Sequence, residues 1–114
     1  MKIAVSIIGQ IVDEVKRDMD LAVQQGADII ELRFDYLRRE EQTRRSVETL
    51  LRHNSTTKIF TNRHFSQAGN DTRAGFKGTE DERLELVQTA VDLKVENIDV
   101  EYKHELKIDW RDKI

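Results

Sequence analysis

The chain has no cysteine, no proline, only five glycines and 6% aromatic residues. Without cysteine there is no disulfide framework, no thiolate zinc site and no cysteine nucleophile. No glycine-rich loop of the kind that cradles phosphates is present, which weighs against a nucleotide-binding fold. The lack of proline excludes nothing by itself. No apolar run is long enough to span a membrane, and the opening residues MKIAVSIIGQ are too short an apolar stretch for a signal peptide. The default expectation is therefore a cytoplasmic location. A net charge of −3 weighs against general binding to nucleic acid or to an anionic membrane.

What is present suits one charged domain. A chain of 114 residues, 38% hydrophobic and 36% charged, can bury a core without being too polar to fold. Four strand-like runs alternate with three helix-like ones. Ile3 to Ile7 is a β-rich run closed by Gly9, and Ile29 to Arg33, Lys58 to Thr61 and Asn97 to Glu101 are the other predicted strands. Between Val12 and Gln25, Val12, Val15, Met19, Ala22 and Val23 recur at helical spacing, with Gly26 as the stop. Glu41 to Arg52 is the second predicted helix, with Val47, Leu50 and Leu51 as its apolar stripe. Thr79-Glu80-Asp81-Glu82 reads as a capping box, and its helix should turn Leu84, Val87, Ala90 and Val91 inward.

Strands and helices alternating at this length imply right-handed βαβ units and a parallel sheet. Two architectures fit: a small open doubly wound sheet, or the first half of a (β/α)8 barrel. Polar residues on one face of every strand favour the barrel. In GADIIELRFDYL, Ile30, Leu32 and Phe34 keep one apolar face, while Glu31, Arg33 and Asp35 put charges on the other. An inward-facing carboxylate–guanidinium pair is costly unless something uses it. Ala4 and Ser6, Thr61 and Arg63, and Asp99 and Glu101 share the corresponding faces of the other strands. Any one pair is as well read as a structural ion pair or an exposed surface. In a parallel sheet, however, the carboxyl ends lie together, so all four sets would converge on one mouth. Such a mouth suits a polyhydroxylated or anionic small molecule: arginine forks bind hydroxyl or carboxylate oxygens, and a carboxylate accepts from hydroxyls.

The segments VSIIG, GADIIELRFDYL, IFTNR, GTEDERLELVQTAVDL and NIDVEY, in that order, resemble type I 3-dehydroquinate dehydratase of the shikimate pathway. The resemblance implies an α/β fold that is half of a TIM (β/α)8 barrel, order βαβαβαβ, in one partial domain over residues 1–114. It implies dehydration of 3-dehydroquinate to 3-dehydroshikimate through a lysine Schiff base, with no metal or cofactor. By motif, Ser6, Glu31, Arg33 and Arg63 match the family's substrate-binding positions, the residues that the strand faces select. Where the family usually has Glu-Gly-Gly, this chain has Gln67-Ala68-Gly69, so a carboxylate that supports the catalytic histidine is absent. The family's histidine and lysine lie on its fifth and sixth strands, beyond this chain, so the expectation is that these residues alone lack activity. The alternative is a non-catalytic half-barrel acting as a binding or assembly module. Either way, open sheet edges predict self-association, such as a homodimer, or pairing with a complementary carboxyl-terminal half.

Other residues carry less. Lys103 has the parity of Asp99 and Glu101, and a desolvated lysine can form a Schiff base, but a lysine just past a strand is more often solvated. His64 follows Arg63 and reaches the mouth only if its loop turns inward; His53 and His104 read as surface residues, and no pair has metal-site spacing. Arg38, Arg39, Arg44, Arg45 and Arg52 form a basic run, but Glu40, Glu41 and Glu48 interleave with them, which suits helix-surface ion pairs better than nucleic acid.

Overall fold

A computed structural model of the chain describes residues 2–65 and 71–98. Strand β1 is Ala4–Ile7, helix α1 Val12–Gln24, β2 Ile29–Arg33, α2 Arg44–Arg52, β3 Thr57–Thr61, α3 Glu80–Asp92 and β4 Asn97–Ile98. Two short 3-10 turns, Phe34–Tyr36 and Arg39–Glu41, join β2 to α2. All neighbouring strands are parallel, in the order β1-β2-β3-β4. Each crossover therefore steps the same way across the sheet, and right-handed connections that never reverse put every helix on one face. A doubly wound sheet would reverse its order at a switch point. The sequential order decides between the two architectures in favour of the partial barrel.

The register explains which side is the core. Ile7 lies beside Leu32, and Leu32 beside Phe60. These three are almost wholly buried, and they share one cluster with Val15 and Met19 of α1, Val47 and Leu50 of α2, and Leu86, Val87 and Ala90 of α3. Removal of each of these side chains from water, the small Ala90 apart, contributes roughly 1.5–3 kcal/mol. Phe34 extends the cluster past the end of β2, its ring 5.4 Å from that of Phe60. The alternate residues, Ser6, Glu31 and Thr61 among them, point to the helix-free face.

Local signals account for most helix ends. α1 stops at Gly26, whose φ of +102° returns the chain so that Ala27 N–H donates to Ala22 O at 3.0 Å. The Thr79 capping box forms as read from the sequence: Thr79 Oγ1 accepts from Glu82 N–H at 3.1 Å, and Glu82 Oε1 from Thr79 N–H at 2.9 Å. One helix start moves. α2 begins at Arg44 and not at Glu41, because Thr43 is the cap, accepting from Ser46 N–H at 3.1 Å. Glu41 instead accepts the Val12 N–H at 3.0 Å, satisfying an orphan donor at the start of α1. In α3 the buried residues are Arg83, Leu86, Val87, Thr89 and Ala90, while Leu84 and Val91 are only half-buried. Arg83 holds a core position because its guanidinium donates to Asn62 O at 2.7 Å and to Glu80. Of the predicted fourth strand, residues 97 and 98 are β4; Asp99, Val100 and Glu101 lie outside the described residues.

Candidate functional site

On the helix-free face one carboxylate joins three strands. Glu31 Oε1 accepts from the Ser6 hydroxyl at 2.5 Å, and Oε2 from the Thr61 hydroxyl at 3.0 Å. Ser6 is exposed, Glu31 half-buried and Thr61 fully buried. Each hydroxyl has one proton to give, so donation to Glu31 leaves the exposed Ser6 oxygen as an acceptor toward anything above it, while the fully buried Thr61 holds the carboxylate from below. Each carboxylate oxygen keeps room for a second donor. The row thus presents oxygen acceptors to a hydroxylated ligand. Thr61 belongs to this site as the buried support of Glu31; its parity was visible in the sequence, its bond to Glu31 was not.

Arg33 ends β2 and does not pair with Glu31. Its partner is Asp35, with Nε at 3.2 Å from Oδ1 and Nη2 at 3.0 Å from Oδ2. Of the two carboxylates that the sequence puts on the face of Arg33, the guanidinium takes Asp35, and the reason is local. The 3-10 turn Phe34–Tyr36 breaks the strand alternation, so Asp35 curls back beneath the guanidinium and is fully buried. Burial works against the Arg33 charge, but the bonds to Asp35 and its field outweigh this and hold the arginine pKa above its ordinary value. The Arg33 guanidinium also lies 4.8 Å from the centre of the Tyr36 ring.

Residues 71–77, which follow the third strand, fold onto this end of the sheet. Gly75 N–H donates to Asp35 Oδ2 at 3.0 Å, and Tyr36 Oη to Asp71 Oδ2 at 3.0 Å. Phe76 N–H donates to Arg63 O at 2.8 Å, tying the segment to the residue two past β3. Lys77 Nζ donates to the carbonyls of Asp35, Arg73 and Gly75 at 2.8, 2.9 and 3.2 Å. Desolvation lowers the Lys77 pKa despite nearby Asp35 and Asp71. Burial, then the bond to Asp71, raises that of the Tyr36 phenol. Arg63 is half-buried, and His64 stacks on Phe65 with ring centres 4.4 Å apart while its Nε2 stands 3.9 Å from Glu80.

The described residues bring Ser6, Glu31, Thr61 and Arg33 to one region of the sheet, with Arg63 just beyond. Gln67, Ala68, Gly69, Asp99, Glu101, Lys103 and His104 lie outside the described residues. The basic run is not knit within its own helix as expected: Arg39 reaches across to Glu82 of α3. Among the described residues, no three His, Asp or Glu side chains converge as metal ligands would. No helix there is long and apolar enough to cross a membrane.

Parallel strands in sequence order with helices on one face define a partial (β/α)8 barrel, and polar side chains gather at its strand ends. The family model for type I 3-dehydroquinase matches residues 3–112, and the chain belongs to that family. In fold it is similar to the crystal structure of 3-dehydroquinate dehydratase from Geobacillus kaustophilus, with a TM-score of 0.69 and 18% identity. That match covers 87% of this chain and 39% of the other, so the chain spans well under half of that enzyme. No curated protein matches it.

Proposed function

We propose that these residues form the hydroxyl-binding part of a 3-dehydroquinate site, the family's dehydratase substrate. The observation that carries this reading is the Glu31 carboxylate holding the Ser6 and Thr61 hydroxyls at 2.5 and 3.0 Å, beside a guanidinium fixed by Asp35. Glu31 accepts from a ring hydroxyl, Ser6 accepts from a second, and Arg33 and Arg63 donate to oxygens of the ring substituents. The dehydration itself, loss of water to give 3-dehydroshikimate, needs an amine for the Schiff base and a proton shuttle. Among the described residues the two lysines with lowered pKa do not supply that amine: Lys58 is bonded to Asn54 and Thr56 at the amino end of β3, and Lys77 to three carbonyls. We therefore expect this polypeptide to bind without turning over.

Calorimetry with 3-dehydroquinate tests the reading. Binding by the wild type that is lost in Arg63→Ala supports it; no heat from either refutes it and leaves the non-catalytic module. Growth of 3-dehydroshikimate absorbance with the purified chain would refute the expected inactivity. For partners, we propose self-association or pairing with a complementary half through the β1 edge, where Ile3, Ile8 and Leu21 are 50, 42 and 52% exposed. A monomer by light scattering at high concentration argues against self-association.

A further inference from the structure

The Asp35 side chain is fully buried beneath Arg33, away from a ligand on the strand ends, and charged groups converge on it. Its two oxygens take the Nε and Nη2 edge of Arg33, and Oδ2 also takes the Gly75 N–H. Its main-chain oxygen takes Lys77 Nζ, whose neighbour Phe76 donates in turn to Arg63 O. We propose that Asp35 is a positioning residue, which fixes the orientation of the Arg33 fork and fastens residues 71–77 so that Arg33 and Arg63 are held in one arrangement.

The consequence for the ligand is directional. With the Nε/Nη2 edge occupied by Asp35, Arg33 has the Nη1/Nη2 edge to offer, and no described residue bonds Nη1. The site thus meets a ligand oxygen pair end-on with two parallel N–H groups, the arrangement that selects planar or vicinal oxygen pairs over single ones. A carboxylate is needed here because the Arg33 fork sends an N–H to each of the two side-chain oxygens, and an amide offers only one. In Asp35→Asn, an NH2 in place of Oδ1 faces the Arg33 Nε–H, and one in place of Oδ2 faces both Arg33 Nη2 and the Gly75 N–H, so the two-point grip on the guanidinium is lost either way.

This assignment deepens the site proposed above, and its test separates the two. In the wild-type chain labelled with 15N-arginine, the Arg33 Nε–H signal is expected to be dispersed and to exchange with water at least tenfold more slowly than those of exposed Arg44 and Arg45. Arg33→Lys assigns the signal by removing it. An Arg33 Nε–H that exchanges as fast as the exposed arginines overturns the proposal without any Asp35 variant or ligand. In Asp35→Asn that keeps its circular dichroism, the slow exchange is lost, and affinity for 3-dehydroquinate falls tenfold or more. In an Arg33→Ala background the same substitution costs clearly less affinity than in the wild type, because of the two arginines it holds only Arg63 remains. An equal loss of affinity in both backgrounds means a general structural role and overturns the proposal. If the wild type binds no 3-dehydroquinate, the exchange measurement still decides the role of Asp35, and only the substrate reading fails.

Discussion

Thr61→Val isolates the bond on which the candidate site is built. Valine keeps the shape of threonine and its preference for strands, so at a fully buried position the main change is a methyl in place of the hydroxyl. That hydroxyl donates to Glu31 Oε2 at 3.0 Å, and Glu31 is only half-buried, so water replaces part of what is lost. A hydrogen bond to a charged group is worth about 1.5–3 kcal/mol, and partial access places the expected loss near the lower half, about 1.5–2 kcal/mol. Urea unfolding followed by far-ultraviolet circular dichroism measures it. With a slope of about 2 kcal/mol per molar for a domain of this size, the midpoint should fall by about 0.75–1 M at unchanged slope. Glu31→Gln supplies the control, since a neutral acceptor halves the bond. In that background Thr61→Val should cost about 0.5–1 kcal/mol, leaving a coupling energy of about 1 kcal/mol. A cost below about 0.5 kcal/mol in the wild type, or the same cost in both backgrounds, would refute the view that one carboxylate ties β2 to β3 on the open face.

Two further stability predictions follow from local geometry. Glu82 has a pKa below its ordinary value near 4.5, first because it bonds the Thr79 backbone N–H. Its charged form is thus favoured by folding, so its contribution is complete above pH 4.5 and lost as pH falls through the lower folded value. The stability gap between wild type and Glu82→Gln should be constant near pH 7 and close by pH 3; a gap that widens on acidification contradicts the capping role. Gly26 and Gly75 both have positive φ, +102° and +95°, but differ in room. A Cβ on Gly26 meets nothing within 4 Å, whereas one on Gly75 would lie 2.6 Å from Phe65 Cα. Gly26→Ala should cost about 1–2 kcal/mol from the dihedral alone, and Gly75→Ala clearly more. Equal midpoints in thermal unfolding would contradict this.

Much of the fold follows from periodicity that the chain carries in itself. The spacing of Val15, Met19 and Ala22 marks α1, the Thr79 box marks the start of α3, and alternation along Ile29–Arg33 sorts core from open face. These are short-range effects, set by the 3.6 and 2.0 repeats and by caps within four residues, so one sequence suffices to read them. Parity likewise picks out Ser6, Glu31 and Thr61 as sharing a face. The sequence alone does not decide who bonds whom. It leaves both an open sheet and a half-barrel possible, and only strand order, a property of contacts between distant segments, separates them. It puts Glu31, Arg33 and Asp35 on one face without choosing partners; the turn at Phe34 and the segment at Gly75 assign the guanidinium to Asp35 and leave Glu31 to two hydroxyls. Glu41 caps a helix 29 positions away, and Arg83 enters the core because Asn62 O and Glu80 receive it. Local sequence determines which face a side chain takes. Its partner is determined by which segments the tertiary fold brings within 3 Å, because a buried charge goes to whichever partners offset its desolvation.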